Sequence, residues 1–174
     1  MDTEQQNAQA ALALKQFRVI FRSVKKHFQF VEKRCQISGS QLWALAQVAE
    51  TPGIRVTELA ARLSIHQSTA SNLIDLLVRK KLMSKRRSSS DNRIVELYAT
   101  EAGKSIIEQA PKPLRGILPD ALEQLPPETL EQLNRCLGDL QEVMKSRDEE
   151  ASGIPLADLG IKESPFRGSN VALL

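Results

Sequence analysis

The chain has 174 residues, of which 41% are hydrophobic and 26% are charged. These fractions are ordinary for a folded protein and exclude wholesale disorder. No apolar run approaches the ~20 residues that cross a bilayer, and the first residues lack the basic and apolar regions of a signal peptide. We therefore expect a cytoplasmic protein that makes no membrane contact. Its two cysteines, Cys35 and Cys136, stand far apart without CxxC spacing, which favours neither a disulfide framework nor a zinc site.

Basic and acidic residues are segregated along the chain, although the net charge is only +3. Residues 15–34 contain seven basic residues and one acidic residue, and residues 62–93 contain eight basic and two acidic residues. Residues 100–150 reverse this balance, with six basic and eleven acidic residues. A basic front half and an acidic back half favour a polyanion that binds one side of the molecule.

The clearest periodic feature is an apolar seam near the N-terminus, spaced alternately by four and three residues, which is typical of one long helix. A second seam follows Pro126 and Pro127 near the C-terminus. Either seam can pack within its own chain or against a partner subunit, and the length of the first helix favours the partner. The seam residues are Ala10, Leu14, Phe17, Phe21, Val24, Phe28 and Val31 in the first helix and Leu130, Leu133, Leu137, Leu140 and Met144 in the last.

Between the seams, the sequence predicts a pair of short helices joined by a tight turn. A capping box at residues 38–41 opens the preceding helix, and the pair itself spans residues 56–63 and 67–79. Such a pair places its second helix in the major groove of DNA. Helix capping alone explains one or two of the polar residues in its first turn, so we predict that the set reads base edges. The set is Gln67, Ser68, Thr69, Ser71 and Asn72.

A β-hairpin is predicted next, because runs with β character at residues 82–86 and 93–98 flank a polar loop. A solvated basic turn would explain its charge, but the neighbouring helix pair favours contact with DNA, including an arginine in the minor groove. We expect Asp91 to hold the Arg93 guanidinium through a charge-assisted pair. The hairpin residues assigned to DNA binding are Lys85, Arg87, Asn92 and Arg93.

The order of these elements resembles the MarR family of winged-helix transcriptional regulators. The resemblance covers about residues 12–145 and rests on the strings SGSQLWALAQVAE, VTELAARLSIHQSTASNLIDLLVRKKL, SSSDNRIVELYAT and TEAGK. It implies a homodimer whose N- and C-terminal helices interlock and whose two winged lobes read a pseudo-palindromic operator in double-stranded DNA. It also implies that a small aromatic or anionic effector, or an oxidant, releases the DNA.

By this resemblance, Asp91 and Arg93 match the Asp-x-Arg of the wing, and residues 100–103 match the Thr-x-x-Gly that follows it. Two positions depart from the family pattern. Lys81 stands where a glycine usually follows the recognition helix, so a left-handed helix end there is either strained or replaced by another ending. Asn92 stands where the wing usually carries a basic residue, which removes one charge from the tip.

The resemblance also places an effector pocket where the second helix meets the first, near His27, Val31 and Trp43. A lone tryptophan such as Trp43 is more often part of a core. Cys35 follows Lys33 and Arg34, and a lowered pKa would make it a redox switch, but inert packing is the favoured interpretation. The two histidines stand far apart and have no HxxxH spacing, so we expect no metal site.

We therefore predict a mainly α (α+β) fold, with a winged helix-turn-helix DNA-binding lobe at residues 37–99. A helical dimerisation lobe is made from the N-terminal helix at 1–36 and the C-terminal helices at 100–149, and a flexible tail follows at 150–174. The predicted function is a sequence-specific repressor released by a small ligand. The alternatives are a redox-sensing regulator acting through Cys35 and a winged-helix module that binds protein instead of DNA. We expect that the protein is not an enzyme and binds no cofactor, because its sequence contains no GxGxxG, Walker A, HExxH or GxSxG motif.

Overall fold

The structure, a computed structural model, describes residues 3–88, 91, 93–144 and 149–158. This part of the chain confirms the predicted mainly α fold, in which helices accompany a small antiparallel sheet. No helix within it is both long and apolar enough to cross a bilayer. The elements in chain order are α1 (Thr3–Cys35), α2 (Gly39–Glu50), β1 (Ile54–Arg55), α3 (Val56–Leu63), α4 (Gln67–Arg79), β2 (Met83–Arg87), β3 (Val95–Ala99), α5 (Glu101–Gln109), α6 (Ile117–Glu123), α7 (Pro127–Val143) and two short 3-10 helices (Glu149–Gly153 and Leu156–Asp158).

The main core lies in the winged lobe and is built around α2. The predicted capping box is confirmed, since the Ser38 hydroxyl accepts from the Gln41 N–H and the Ser38 N–H donates to the Gln41 side chain, both at 3.2 Å. This cap starts a helix whose Leu42, Leu45 and Val48 are fully buried. They pack in one cluster with apolar residues from α3, α4 and the sheet, among them Leu59, Ile74, Leu77 and Leu97.

The sheet has the strand order β1-β3-β2, with both pairs antiparallel. The predicted hairpin is present as β2 and β3, and each strand begins one or two residues later than expected. Ile94 is excluded from β3 because its N–H donates back to the Asp91 carbonyl at 2.9 Å in the turn. The two-residue strand β1, where Ile54 pairs with Leu97, was not predicted, because two residues cannot show an alternating pattern.

Helix α4 ends in a left-handed residue, as the resemblance implies, although that residue is Lys81 instead of glycine. Lys81 has φ +59, its N–H donates to the Val78 carbonyl, and the Leu82 N–H donates to the Leu77 carbonyl, each at 2.9 Å. These two bonds form the Schellman motif. The chain therefore keeps the usual helix ending and places a strained lysine in it.

The Thr-x-x-Gly segment joins the end of this motif to α5. The Thr100 hydroxyl donates to the Lys81 carbonyl at 2.8 Å and accepts from the Gly103 N–H at 3.1 Å. A Cβ at position 103 would overlap the carbonyl oxygen of Leu82. Glycine is required there because the first turn of α5 lies directly against that carbonyl.

The two apolar seams are divided between the chain's own core and exposed surface. In α1, Val24, Phe28 and Val31 are buried, whereas Leu14 is 51% exposed and Phe21 is 64% exposed. Helix α7 contains no buried residue. Its exposed apolar residues and the one that follows it are Leu137, Leu140, Val143 and Met144.

Within the predicted flexible tail, residues 151–158 pack against the body of the molecule. Ala157 is 3% exposed and belongs to a small cluster with Val24 and Phe28 of α1. The Asp158 carboxylate accepts a hydrogen bond from the Ser40 hydroxyl at 3.0 Å. The remainder of the predicted tail, residues 159–174, lies outside the described residues.

Candidate nucleic-acid interface

Helix α4 is an amphipathic helix that presents a polar surface at its N-terminal end. It buries Ala70, Leu73, Ile74 and Leu77 against the core, because these apolar residues recur at helical spacing on one stripe. The opposite side carries the exposed side chains of Gln67, Ser68 and Asn72. These three side chains are free to contact a ligand, and each has both donors and acceptors or a rotating hydroxyl.

Two other predicted base-reading residues are less accessible. Thr69 and Ser71 are each half-buried. The Ser71 hydroxyl donates to the backbone carbonyl of Gln67 at 2.9 Å, within the same helix. Its proton is therefore engaged in the helix, and only its oxygen lone pair remains available to accept a bond.

The wing tip does not form the side-chain pair that we expected between Asp91 and Arg93. The Asp91 carboxylate accepts from the backbone N–H of Arg93 at 2.9 Å, and no ion pair joins these two described side chains. A short acidic side chain in a turn prefers this local bond to the following backbone. Arg93 and Arg87 are both exposed, whereas Asn92 lies outside the described residues.

Lys85 is already paired, which changes its expected part in DNA binding. Its ammonium group contacts the Asp75 carboxylate of α4 at 2.6 Å, and both side chains are about half exposed. The hydrogen bond from Lys85, and then its charge, lower the pKa of Asp75. The pair links strand β2 to the recognition helix, so the charge that Lys85 offers a phosphate is partly compensated.

Arg86, Glu96 and Tyr98 form a cluster at the base of the wing that the sequence pattern does not predict. The Arg86 guanidinium lies 4.8 Å from the centre of the Tyr98 ring, and the Tyr98 hydroxyl donates to the Glu96 carboxylate at 2.8 Å. Hydrogen bonds from the Ser88 side chain and from Tyr98 lower the pKa of Glu96. Glu96 and Tyr98 share one face of β3, and that period-two spacing was the only sequence signal for this cluster.

Arg55 is a further basic residue that the sequence analysis did not select. It lines a cleft of about 280 Å³ between the start of α3 and the wing, together with Thr57, Arg93 and Val95. Two arginines that stand 38 positions apart in the sequence thus flank one cleft. The β1-β3 pairing brings them together, and the sequence gives no local sign of that pairing.

None of the clefts formed by described residues is lined by all three residues that were assigned to an effector pocket. Trp43 lines a cleft of about 420 Å³ between α2 and the segment before α6, with Gln47, Lys112 and Arg115. Val31 is 1% exposed and belongs to the main core. Burial lowers the pKa of His27, against the opposing effect of a hydrogen bond to the Pro113 backbone. Of the three, Trp43 alone borders this space.

Cys35 lacks the lowered pKa that a redox switch requires. Its side chain is buried in the main core, and this burial raises the pKa of the thiol despite the nearby charge of Arg34. A protonated, buried thiol is a poor nucleophile. Burial and the raised pKa both favour inert packing of Cys35 over a redox switch.

The winged lobe can be assigned by sequence comparison. Residues 37–95 match the sequence model of the MarR family. This region is a MarR-family domain. The match begins just before α2 and ends at the start of β3, so the MarR-family domain includes the recognition helix and the turn of the wing.

Individual proteins resemble the chain beyond the MarR-family domain. The HTH-type transcriptional regulator YhbI of Bacillus subtilis (strain 168) is 23% identical over 134 residues, which cover 77% of this chain and 87% of YhbI. The HTH-type transcriptional repressor MdtR of the same organism is 22% identical over 90 residues, or 52% of this chain and 58% of MdtR. The structure of S. aureus MepR in complex with DNA has a TM-score of 0.53 at 25% identity and covers 74% of this chain and 94% of MepR.

Proposed function

We propose that the protein is a homodimeric transcriptional regulator that binds a pseudo-palindromic operator in double-stranded DNA. The observation that carries the proposal is the division of α4 into a buried apolar stripe and an exposed polar N-terminal end. In helix-turn-helix proteins this end of the second helix enters the major groove. Gln67 and Asn72 are the side chains whose amide groups suit bidentate contact with adenine.

The wing supplies the second part of the proposed interface. Arg55 and Arg93 flank a cleft that suits the negative charge of the DNA backbone, and the exposed Arg93 is the side chain that would enter the minor groove. The Lys85–Asp75 pair supports this proposal by linking the hairpin to α4, and the Arg86–Tyr98 contact joins the two strands of the hairpin. Contacts with phosphates set the position of the protein on DNA, while α4 supplies the sequence preference.

The proposed homodimer rests on the uncovered apolar residues of α1 and α7. Residues 3–23 of α1 include no buried residue, and α7 contains none at all. Apolar stripes of this extent are rarely left in water, and a second copy presents a matching surface. A two-fold dimer also explains why the operator would be pseudo-palindromic, since each lobe reads one half-site.

Repression and release by a small ligand are the finer parts of the proposal. The similarity to the repressor MdtR supports repression. The cleft beside Trp43 suits an effector with an aromatic ring. Lys112 and Arg115 could hold an anionic group of such an effector, although the acidic residues Glu50 and Asp120 line the same cleft. Arg115 also contacts Asp120 and Glu123, so an anionic ligand would compete with these carboxylates.

A genomic pull-down tests the proposal directly. Purified protein is mixed with fragmented genomic DNA, and the retained fragments are sequenced and compared for a shared inverted repeat. A labelled duplex with that repeat is then titrated at several salt concentrations. We expect the logarithm of the affinity to fall linearly and steeply with the logarithm of the salt concentration, because phosphate contacts release counterions. Absence of an enriched repeat, together with salt-independent capture of protein, would instead support a protein-binding module.

A further inference from the structure

The described residues at the C-terminal end, 149–158, form a segment that we call the C-terminal strap. It contains two short 3-10 helices, Glu149–Gly153 and Leu156–Asp158. At the end of the first, the Ile154 N–H donates to the Ala151 carbonyl, and at the end of the second, the Asp158 N–H donates to the Pro155 carbonyl. The sequence of the strap contains three acidic residues and no basic residue. Its net charge is therefore opposite to that of the helix-turn-helix and wing region.

One end of the strap lies against the beginning of the recognition helix. The backbone N–H of His66 donates to the carbonyl of Gly153 at 3.2 Å. A Cβ on Gly153 would overlap the His66 imidazole ring, so the two residues are in direct contact. His66 is the N-cap residue of α4, and its side chain makes no capping hydrogen bond. The strap therefore contacts the chain immediately before the polar turn assigned to base reading.

The other end of the strap is anchored between α1 and α2. Ala157 is buried against Phe28. Gly39 lies beside both residues, and a Cβ on Gly39 would overlap the Phe28 ring. The Ser40 hydroxyl donates to the Asp158 carboxylate, and Ser40 itself is buried. Asp158 itself is exposed, but a hydrogen bond to a charged carboxylate is stronger than one to a neutral acceptor. This anchor keeps the strap beside α4 at a high effective concentration.

We infer that the C-terminal strap is a built-in competitor of DNA at the recognition helix. The inference rests on the proposed function, because it concerns the regulation of the same interface. DNA phosphates approach helix N-termini through free backbone N–H groups and through the positive end of the helix dipole. The strap occupies the His66 N–H with the Gly153 carbonyl, and its backbone lies against His66, where a phosphate would approach the helix. The closed strap therefore lowers affinity for DNA, and its release raises affinity.

The size of the effect follows from the fraction of molecules in which the strap is open. When only the open form binds DNA, the apparent dissociation constant is the intrinsic one divided by that fraction. A strap that is closed in about two-thirds to nine-tenths of the molecules lowers affinity by about 3- to 10-fold.

Gly153→Ala in the full chain is the variant that tests this inference. Gly153 does not have a positive φ, so alanine fits its backbone, and the three atoms nearest to the added methyl group all belong to the His66 ring. Gly138→Ala is the control for the glycine-to-alanine change, since a Cβ there meets nothing within 4 Å in the single chain. Because Gly138 lies in α7, sedimentation first checks that this variant has the same oligomeric state as the parent. Asp158→Ala, which removes the acceptor of the Ser40 bond, is a second route to release. The exchange rate of the His66 amide proton reports the closed strap, and fluorescence anisotropy with a labelled operator duplex reports affinity.

We expect Gly153→Ala and Asp158→Ala to speed exchange of the His66 amide and to tighten operator binding by about 3- to 10-fold. Gly138→Ala should change neither quantity. Rapid His66 exchange in the unaltered protein, or exchange that neither strap variant accelerates, would overturn the inference at the contact itself. Faster exchange without tighter binding would overturn the competition while leaving DNA binding intact. If no variant binds any duplex even at low salt, the proposed function fails and the inference falls with it.

Discussion

The carboxylate of Asp91 accepts a hydrogen bond from the backbone N–H of Arg93, with the two atoms 2.9 Å apart. The Ile94 N–H donates to the Asp91 carbonyl, and the Ser88 N–H donates to the Ile94 carbonyl, each also at 2.9 Å. Asp91 thus shapes the turn through the backbone and leaves the Arg93 guanidinium unpaired with it. The direction of the Arg93 side chain is therefore determined by the backbone conformation of the turn.

This relationship predicts opposite results for two substitutions at position 91. Asp91→Ala removes the acceptor of the Arg93 N–H and loosens the turn. It should weaken operator binding by about fivefold, because one hydrogen bond contributes about 1 kcal/mol. Asp91→Asn keeps an acceptor for the Arg93 N–H and removes a negative charge from a DNA-facing loop, so it should bind at least as tightly as the parent. Anisotropy titrations at one fixed salt concentration compare the two variants. If Asp91→Ala binds more tightly than the parent, Asp91 is only a solvated acid.

The recognition helix predicts unequal roles for Asn72 and Ser71. The exposed amide of Asn72 is free for a bidentate base contact, whereas the Ser71 hydroxyl donates within the helix. Asn72→Ala should reduce discrimination at one position of each half-site by about 1–3 kcal/mol. Ser71→Ala should change discrimination much less. Binding to operator variants and to random duplex measures this difference, and an equal loss on both DNAs for Asn72→Ala would contradict the assignment.

The exposed part of the α1 seam predicts that the oligomeric state can be changed without unfolding the chain. Phe21 is 64% exposed in the single chain, so Phe21→Glu should leave the fold intact and produce monomers. Phe21→Leu keeps an apolar side chain and serves as the control that should remain dimeric. Sedimentation gives the mass and circular dichroism the helix content. A monomeric parent protein at micromolar concentration would exclude the dimer.

The left-handed Lys81 predicts a stabilising substitution. Glycine adopts φ +59 without steric cost, which stabilises the folded state, whereas its greater flexibility stabilises the unfolded state. The first effect is larger, so Lys81→Gly should raise the free energy of unfolding by about 0.5–1 kcal/mol. Lys81→Ala keeps the strained backbone and removes only the long side chain, so it should give no gain. Urea denaturation of the three proteins measures these free energies. A loss of stability in Lys81→Gly would show that the lysine side chain stabilises the turn.

The buried thiol of Cys35 predicts resistance to alkylation. Burial raises its pKa, which keeps the thiol protonated and unreactive near neutral pH. In native protein, iodoacetamide should modify Cys35 far more slowly than it does in urea, as measured by peptide mass spectrometry. Cys35→Ala should retain operator binding before and after peroxide treatment. Peroxide-dependent release that disappears in Cys35→Ala would restore the redox alternative.

Much of the local structure is determined by the sequence alone, because its causes act within a few residues. The capping box at Ser38 and Gln41 joins groups three positions apart, and the buried stripe of α4 repeats with the helical period. Both features can be recognised without knowing what packs against them. The order of these elements along the chain also predicts a winged helix-turn-helix fold and resembles the order in the MarR family.

Other features depend on which distant residues the fold brings together. Lys85 could be assigned to DNA from its charge, but only the packing of β2 on α4 pairs it with Asp75. The Arg55–Arg93 cleft needs the two-residue strand β1, which has too few residues to show a pattern.

The C-terminal strap shows this difference most clearly. A composition of Gly, Pro, Ser and acidic residues is typical of a mobile segment, so the sequence alone predicts a flexible tail here. Its position is decided by a pocket between Phe28 and Gly39 that accepts Ala157 and by a buried Ser40 that donates to Asp158. These partners lie more than one hundred residues earlier in the chain. Composition describes what a segment can do in isolation, whereas the contact energy that orders it exists only after the rest of the chain has folded.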